Sequence, residues 1–124
     1  MLRALGRDPL VIKATRIDTM YGLTNLMEAA LLSSSQLQTA TLILYGERDE
    51  IIPNDSTCVM LERLPDQSTT RFVLYPDGYH MLMRDLQAQV VLRDVVAWVN
   101  NQNVSLPSGN TVTKNSDEVT SLCR

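Results

Sequence analysis

Two apolar runs constrain this chain more than any other feature: TLILYG at 41–46 and RFVLYP at 71–76. Neither alternates apolar with polar residues, as a strand with one wet face would. Each reads as a strand buried on both faces, the habit of a parallel sheet. Between them, after the loop ERDEIIPND, lies a helix-length segment of roughly Ser56 to Leu64, which Asn54 or Asp55 can cap. Two strands joined by a crossover helix imply parallel pairing with a right-handed connection.

The flanks extend this pattern. Residues 9–32 read as helical: Asp8-Pro9 is a typical opening, and Met20, Leu23, Met27, Ala30 and Leu31 recur at three- and four-residue steps. Asp18 or Thr19 could cap this helix, and Gly22 weakens it. SSSQLQTA is a polar loop, and LMRDLQAQVVLRDVVAWVN, 82–100, is a long helix with a wide apolar face. Trp98 and the Val91–Val95 run read as core. The order helix, strand, helix, strand, helix places the chain in the α/β class. Residues 1–100 form the ordered part. Residues 101–124 are rich in Ser, Asn and Thr without period and read as a disordered polar tail.

The formal charge of −3 is spread along the chain with no basic stripe, which excludes nucleic acid as the natural partner. The four tyrosines, lacking such a stripe, are not a stacking platform. Cys58 and Cys123 lie far apart and make neither a disulfide framework nor a zinc site. A reduced compartment is the simpler reading, with Cys58 packed on the inner face of its helix. One histidine and two distant cysteines cannot supply a tetrahedral metal set, so no metal is expected. The longest apolar runs, about six residues, are far short of the ~20 that span a bilayer. MLRALGRDPL has no long apolar stretch of the secretory type. The expected location is cytoplasmic or peripheral to a membrane.

Functional groups of open α/β sheets gather beyond the carboxyl ends of the strands. Asp49 follows TLILYG by three residues, and His80, the chain's one histidine, follows RFVLYP by four. Parallel neighbours bring both exit loops to one edge. A carboxylate there can fix the tautomer of the imidazole and stabilise its protonated form, which makes a general-base unit. The bland alternative is a turn aspartate and an exposed loop histidine, since PDG is ordinary turn chemistry.

The stretch LILYGERDEIIP…LERLP…RFVLYPDGYHMLMRD resembles the C-terminal part of α/β-hydrolases. It is most similar to the bacterial lysophospholipase and monoacylglycerol-lipase-like group, of serine aminopeptidase S33 type. The resemblance covers about residues 8–100. Gly46-Glu47-Arg48-Asp49 matches that family's acid segment, and Gly78-Tyr79-His80 matches its histidine segment. It implies a partial α/β-hydrolase fold, with the last two parallel strands and their flanking helices. It makes Asp49 and His80 the acid and base of a catalytic triad, with no cofactor. Its implied substrates are monoacylglycerols or lysophospholipids. Residues 9–32 then look like the exit from the lid, where Met20, Leu23 and Met27 could line the acyl pocket.

The triad order in this fold is nucleophile, acid, histidine. No G-x-S-x-G elbow precedes Asp49: Ser33, Ser34 and Ser35 lack flanking glycines, and Ser108 follows the histidine. The chain therefore reads as the last third of a hydrolase that carries acid and base without the nucleophile. Whether it turns over substrate alone stays open. One alternative is an inactive remnant acting as an interaction module. Another is related chemistry with an aspartate nucleophile. Two parallel strands alone leave an apolar sheet edge, so self-association or pairing with the remaining hydrolase portion is expected there.

Overall fold

Both apolar runs are strands, β1 (Thr41–Gly46) and β2 (Thr70–Tyr75), and they pair in parallel from Thr41↔Thr70 to Gly46↔Tyr75. The computed structural model describes residues 6–65 and 69–124. The start of the N-terminal stretch weighed as a leader, residues 1–5, lies outside them. The chain divides into two units, Met1–Ser33 and Ser34–Arg124.

The first unit contains helix α1 (Ile17–Ser33). This helix is shorter than the 9–32 expected. Asp8 accepts the Leu10 amide at 2.9 Å and its carbonyl accepts the Val11 amide, so Asp8-Pro9 makes a turn instead of opening a helix. The β-branched Val11, Ile12 and Thr15 add little helical preference. Asp18 lies in the first turn and pairs with Arg16 at 2.8 Å. None of α1 is buried, and Met20, Leu23 and Met27 are each about half exposed.

In the second unit β1 leads through a loop into α2 (Asn54–Arg63), then β2, a 3₁₀ turn at Leu82–Arg84, and α3 (Ala88–Asn100). Helix α2 starts two residues earlier than expected. Pro53 occupies the cap position, and the Asn54 side chain instead donates to the Leu122 carbonyl. Helix α3 starts six residues late. The Asp85 carboxylate binds the amides of Tyr79 and Leu86 at 2.8 and 2.6 Å, and so competes with helix formation between them.

Both sheet faces are covered, as the unbroken apolar pattern requires. On one face Phe72 and Leu74 join Tyr45, Cys58, Leu61 and Leu64. On the other, Val73 and Tyr75 join Val91 of α3, with Trp98 against them.

The disordered tail is not what the structure holds. Residues 101–124 contain β3 (Thr111–Val112) and α4 (Asp117–Leu122). Strand β3 pairs antiparallel with β2, giving the order β1-β2-β3, so the outer edge of β2 is covered. Cys123 is bonded to Cys58, so the two are not the free thiols expected of a reduced chain. Composition concealed this because the apolar residues are few and well placed. Leu106 seals the Val73–Tyr75 face, while Val119 and Leu122 complete the other. Ser116 caps α4 by accepting the Val119 amide. No helix among the described residues is long and apolar enough to cross a membrane.

Candidate active site

Because Gly46 and Tyr75 are register partners, β1 and β2 end level and release their loops side by side. The loops are then stitched together. Glu47 donates its amide to the Tyr75 carbonyl, and Arg48 donates to Gly78, each at 3.0 Å. Two glycines make this approach possible: a Cβ on Gly46 would overlap the Gly78 carbonyl, and one on Gly78 would lie 3.1 Å from Gly46 Cα. An Arg48–Asp77 pair at 2.5 Å adds a half-exposed tie between the loops, of the kind worth little in water.

This juxtaposition sets His80 over Asp49. His80 Nδ1 lies 3.0 Å from Asp49 Oδ2. The two residues singled out from sequence are therefore hydrogen-bonded partners. The Asp49 side chain is 7% exposed, and that of His80 is 45% exposed. Asp49 Oδ1 accepts the amides of Ile51 and Ile52 at 2.8 and 2.9 Å. Burial opposes ionisation of Asp49. The Ile52 amide, His80 and the Ile51 amide outweigh it and hold the carboxyl below its ordinary range. An ionised carboxylate only accepts, so Nδ1 must carry the proton. In the neutral ring this tautomer leaves Nε2 as the acceptor nitrogen, on a side chain that is half exposed.

Three supports of this pair escaped the sequence reading. Tyr45 donates its hydroxyl to the Ile52 carbonyl at 2.8 Å and so holds the residue whose amide binds Asp49. Asp85 holds the Tyr79 amide, directly before His80. Tyr75 accepts the Glu47 and Gly78 amides on its carbonyl, while its buried hydroxyl donates to Asp94 Oδ2 at 2.8 Å. The signal for Asp85 was a helix-breaking carboxylate inside an otherwise helical run. For Tyr75 and Asp94, two polar groups on apolar faces, it was the need of each for a partner.

Residues 1–87 match the family described as serine aminopeptidase, S33. The monoacylglycerol lipase of Mycolicibacterium smegmatis is 24% identical over 107 residues, covering 77% of this chain and 38% of that protein. The chain thus spans well under half the length of the curated relative it matches. No solved structure gives a significant match.

Proposed function

The chain belongs to the serine aminopeptidase S33 family of α/β-hydrolases, and from that premise we propose that it is the acid- and base-bearing C-terminal part of a serine carboxylic-ester hydrolase. The observation that carries this reading is the 3.0 Å bond from His80 Nδ1 to the buried Asp49 carboxylate. The serine belongs to sequence outside this chain. His80 Nε2 takes the serine proton as the hydroxyl oxygen attacks the ester carbonyl, and Asp49 stabilises the imidazolium. The imidazolium then protonates the leaving alcohol. Neutral again, His80 takes a proton from water as its oxygen attacks the acyl-enzyme. The serine–acyl bond then breaks, the imidazolium returns its proton to the serine oxygen, and the acid leaves. The substrates are monoacylglycerols or lysophospholipids, in keeping with the lipase to which the chain is similar.

The test supplies the upstream portion of a related hydrolase in trans and measures ester hydrolysis. Restored activity should fall by at least about ten-thousandfold in His80→Ala. Activity that survives this change would defeat the triad assignment. A covalent ester on an upstream aspartate, instead of an acyl-serine, would favour the aspartate chemistry.

A second reading is an inactive remnant that pairs with another chain. The observation favouring it is the outer edge of β1, which no strand among the described residues covers although the strand is apolar on both faces. Pairing with the upstream hydrolase portion through that edge serves the first reading equally. A concentration-dependent oligomer that gains no esterase activity from the upstream portion would select the remnant.

A further inference from the structure

We propose that residues 101–124 are a redox-latched strap: the Cys58–Cys123 bond holds it closed, and reduction of that bond loosens the loop that presents Asp49. The strap grips the domain through short elements. Strand β3 contributes two residue pairs, and α4 has six residues, fewer than a helix needs to stand alone. The covalent bond joins residues 65 apart, a span over which a cross-link strongly restricts the open chain. Without it, opening from the C-terminus is opposed by the packing of Val119 and Leu122 and by the Asn54 bond.

The bond is reachable from one side. Cys58 is buried on α2, whereas Cys123 is exposed beside a surface cleft that Glu62, Lys114 and Thr120 also line. A dithiol is the fitting reductant. Its thiolate attacks Cys123 Sγ, the sulfur–sulfur bond breaks, and Cys58 leaves as a thiolate and takes up a proton. The second thiol of the reductant then displaces Cys123. Two electrons pass to the protein, and the dithiol ends as a cyclic disulfide.

The route to Asp49 is short. Ile51 and Ile52, whose amides bind the Asp49 carboxylate, lie just ahead of Asn54. Asn54 donates to the Leu122 carbonyl at 2.8 Å. On the other side, Tyr45 holds the Ile52 carbonyl, and its ring packs in the cluster that Val119 and Leu122 complete. Release of the strap removes the partner of Asn54 and the packing of Tyr45 together.

The experiment follows the intact chain by amide hydrogen exchange and by titration of the Asp49 carboxyl, in NMR. It compares protein that is oxidised, reduced with dithiothreitol, reoxidised, or substituted Cys123→Ser. We expect alkylatable thiols only after reduction. Val119 and Leu122 amides should then exchange at least tenfold faster, Ile52 should lose protection, and the Asp49 midpoint should rise. Val73, in the β1–β2 ladder, should stay protected, whereas Leu74, whose amide donates to the Asn110 carbonyl of the strap, should lose protection with it. Reoxidation should reverse the changes, and Cys123→Ser should reproduce the reduced state. Free thiols in the oxidant-treated chain would overturn the latch. So would unchanged exchange at Val119 and Leu122, or lost protection throughout β2, which would make the bond a global support. A strap that opens while Ile52 and Asp49 stay unchanged would overturn the coupling. All of these readouts are independent of any esterase activity.

Discussion

Gly46 and Gly78 meet backbone to backbone where the two strands end, and no side chain fits between them. That contact sets the separation of the acid loop from the histidine loop. A methyl on Gly46 meets the carbonyl oxygen of Gly78 and, at 2.5 Å, its carbonyl carbon, whereas a methyl on Gly78 meets the end of the Leu82 side chain at 2.5 Å and Tyr75 Cβ at 2.9 Å. Leu82 can swing away, which leaves the Tyr75 contact as the lesser clash, but the backbone of the facing loop cannot move alone. Gly46→Ala should therefore cost about 1–3 kcal/mol, at the overpacking scale, and more than Gly78→Ala. Urea midpoints of the two variants check this, and the reverse order would contradict the packing argument.

The Asp49 carboxyl also makes stability depend on pH. Its folded-state pKa is lowered, with the backbone amides of Ile52 and Ile51 and the His80 ring outweighing burial. The unfolded chain binds the proton more readily, so the stabilisation is fully present above the unfolded value of about 3.9. It is lost as pH falls through the lower folded value. Asp49→Asn should flatten this part of the acid limb. Chemical denaturation from pH 2 to 7 measures it. An acid limb of unchanged slope would show that the carboxyl is not held as the geometry requires.

The strands were legible because burial on both faces forces an unbroken apolar run, and little else in a short segment looks like TLILYG or RFVLYP. Asp49 and His80 were legible because a parallel pair delivers both loops to one edge. Other features depend on contacts between distant segments. The start of α3 depends on an Asp85 carboxylate that reaches back to Tyr79. The order of 101–124 depends on Leu106, Val119, Leu122 and Cys123, each too isolated in sequence to form a period. Asn54 looked like a helix cap because local hydrogen bonding is the usual employment of such a residue. Its partner, Leu122, is 68 residues away.

The hydroxyl of Tyr75 and the carboxylate of Asp94 make a second prediction about pH, of opposite sense. Asp94 is fully buried, and its other oxygen accepts the Ser108 amide at 2.9 Å. Burial, and then the neighbouring carboxylate, push the Tyr75 phenol well above its usual value. A raised folded pKa gives stability that is complete below the unfolded value of about 10 and is lost as pH rises toward the folded one. Tyr75 should therefore stay protonated at alkaline pH until the chain unfolds, which ultraviolet titration detects. Tyr75→Phe leaves Asp94 one donor short and should cost about 1–3 kcal/mol. A phenolate that forms in the folded chain near pH 10 would refute the buried bond.

Leu122 separates an ordered C-terminal segment from a disordered one most directly. It is 5% exposed and packs with Cys58, Leu61 and Val119. Were residues 101–124 a solvated tail, shortening this side chain would change nothing. In the folded strap, Leu122→Ala removes buried methyl groups and leaves space beside the disulfide. The expected loss is about 2–5 kcal/mol, the range for leucine in a packed core. Leu106→Ala should cost a similar amount on the opposite sheet face, where Leu106 meets Val73, Tyr75 and Val91. The exposed Val104 carries no such burden, and Val104→Ala should fall within about 0.5 kcal/mol of the parent. Urea unfolding of the three variants under oxidising conditions gives the comparison. Equal midpoints for all three would return the segment to the solvent.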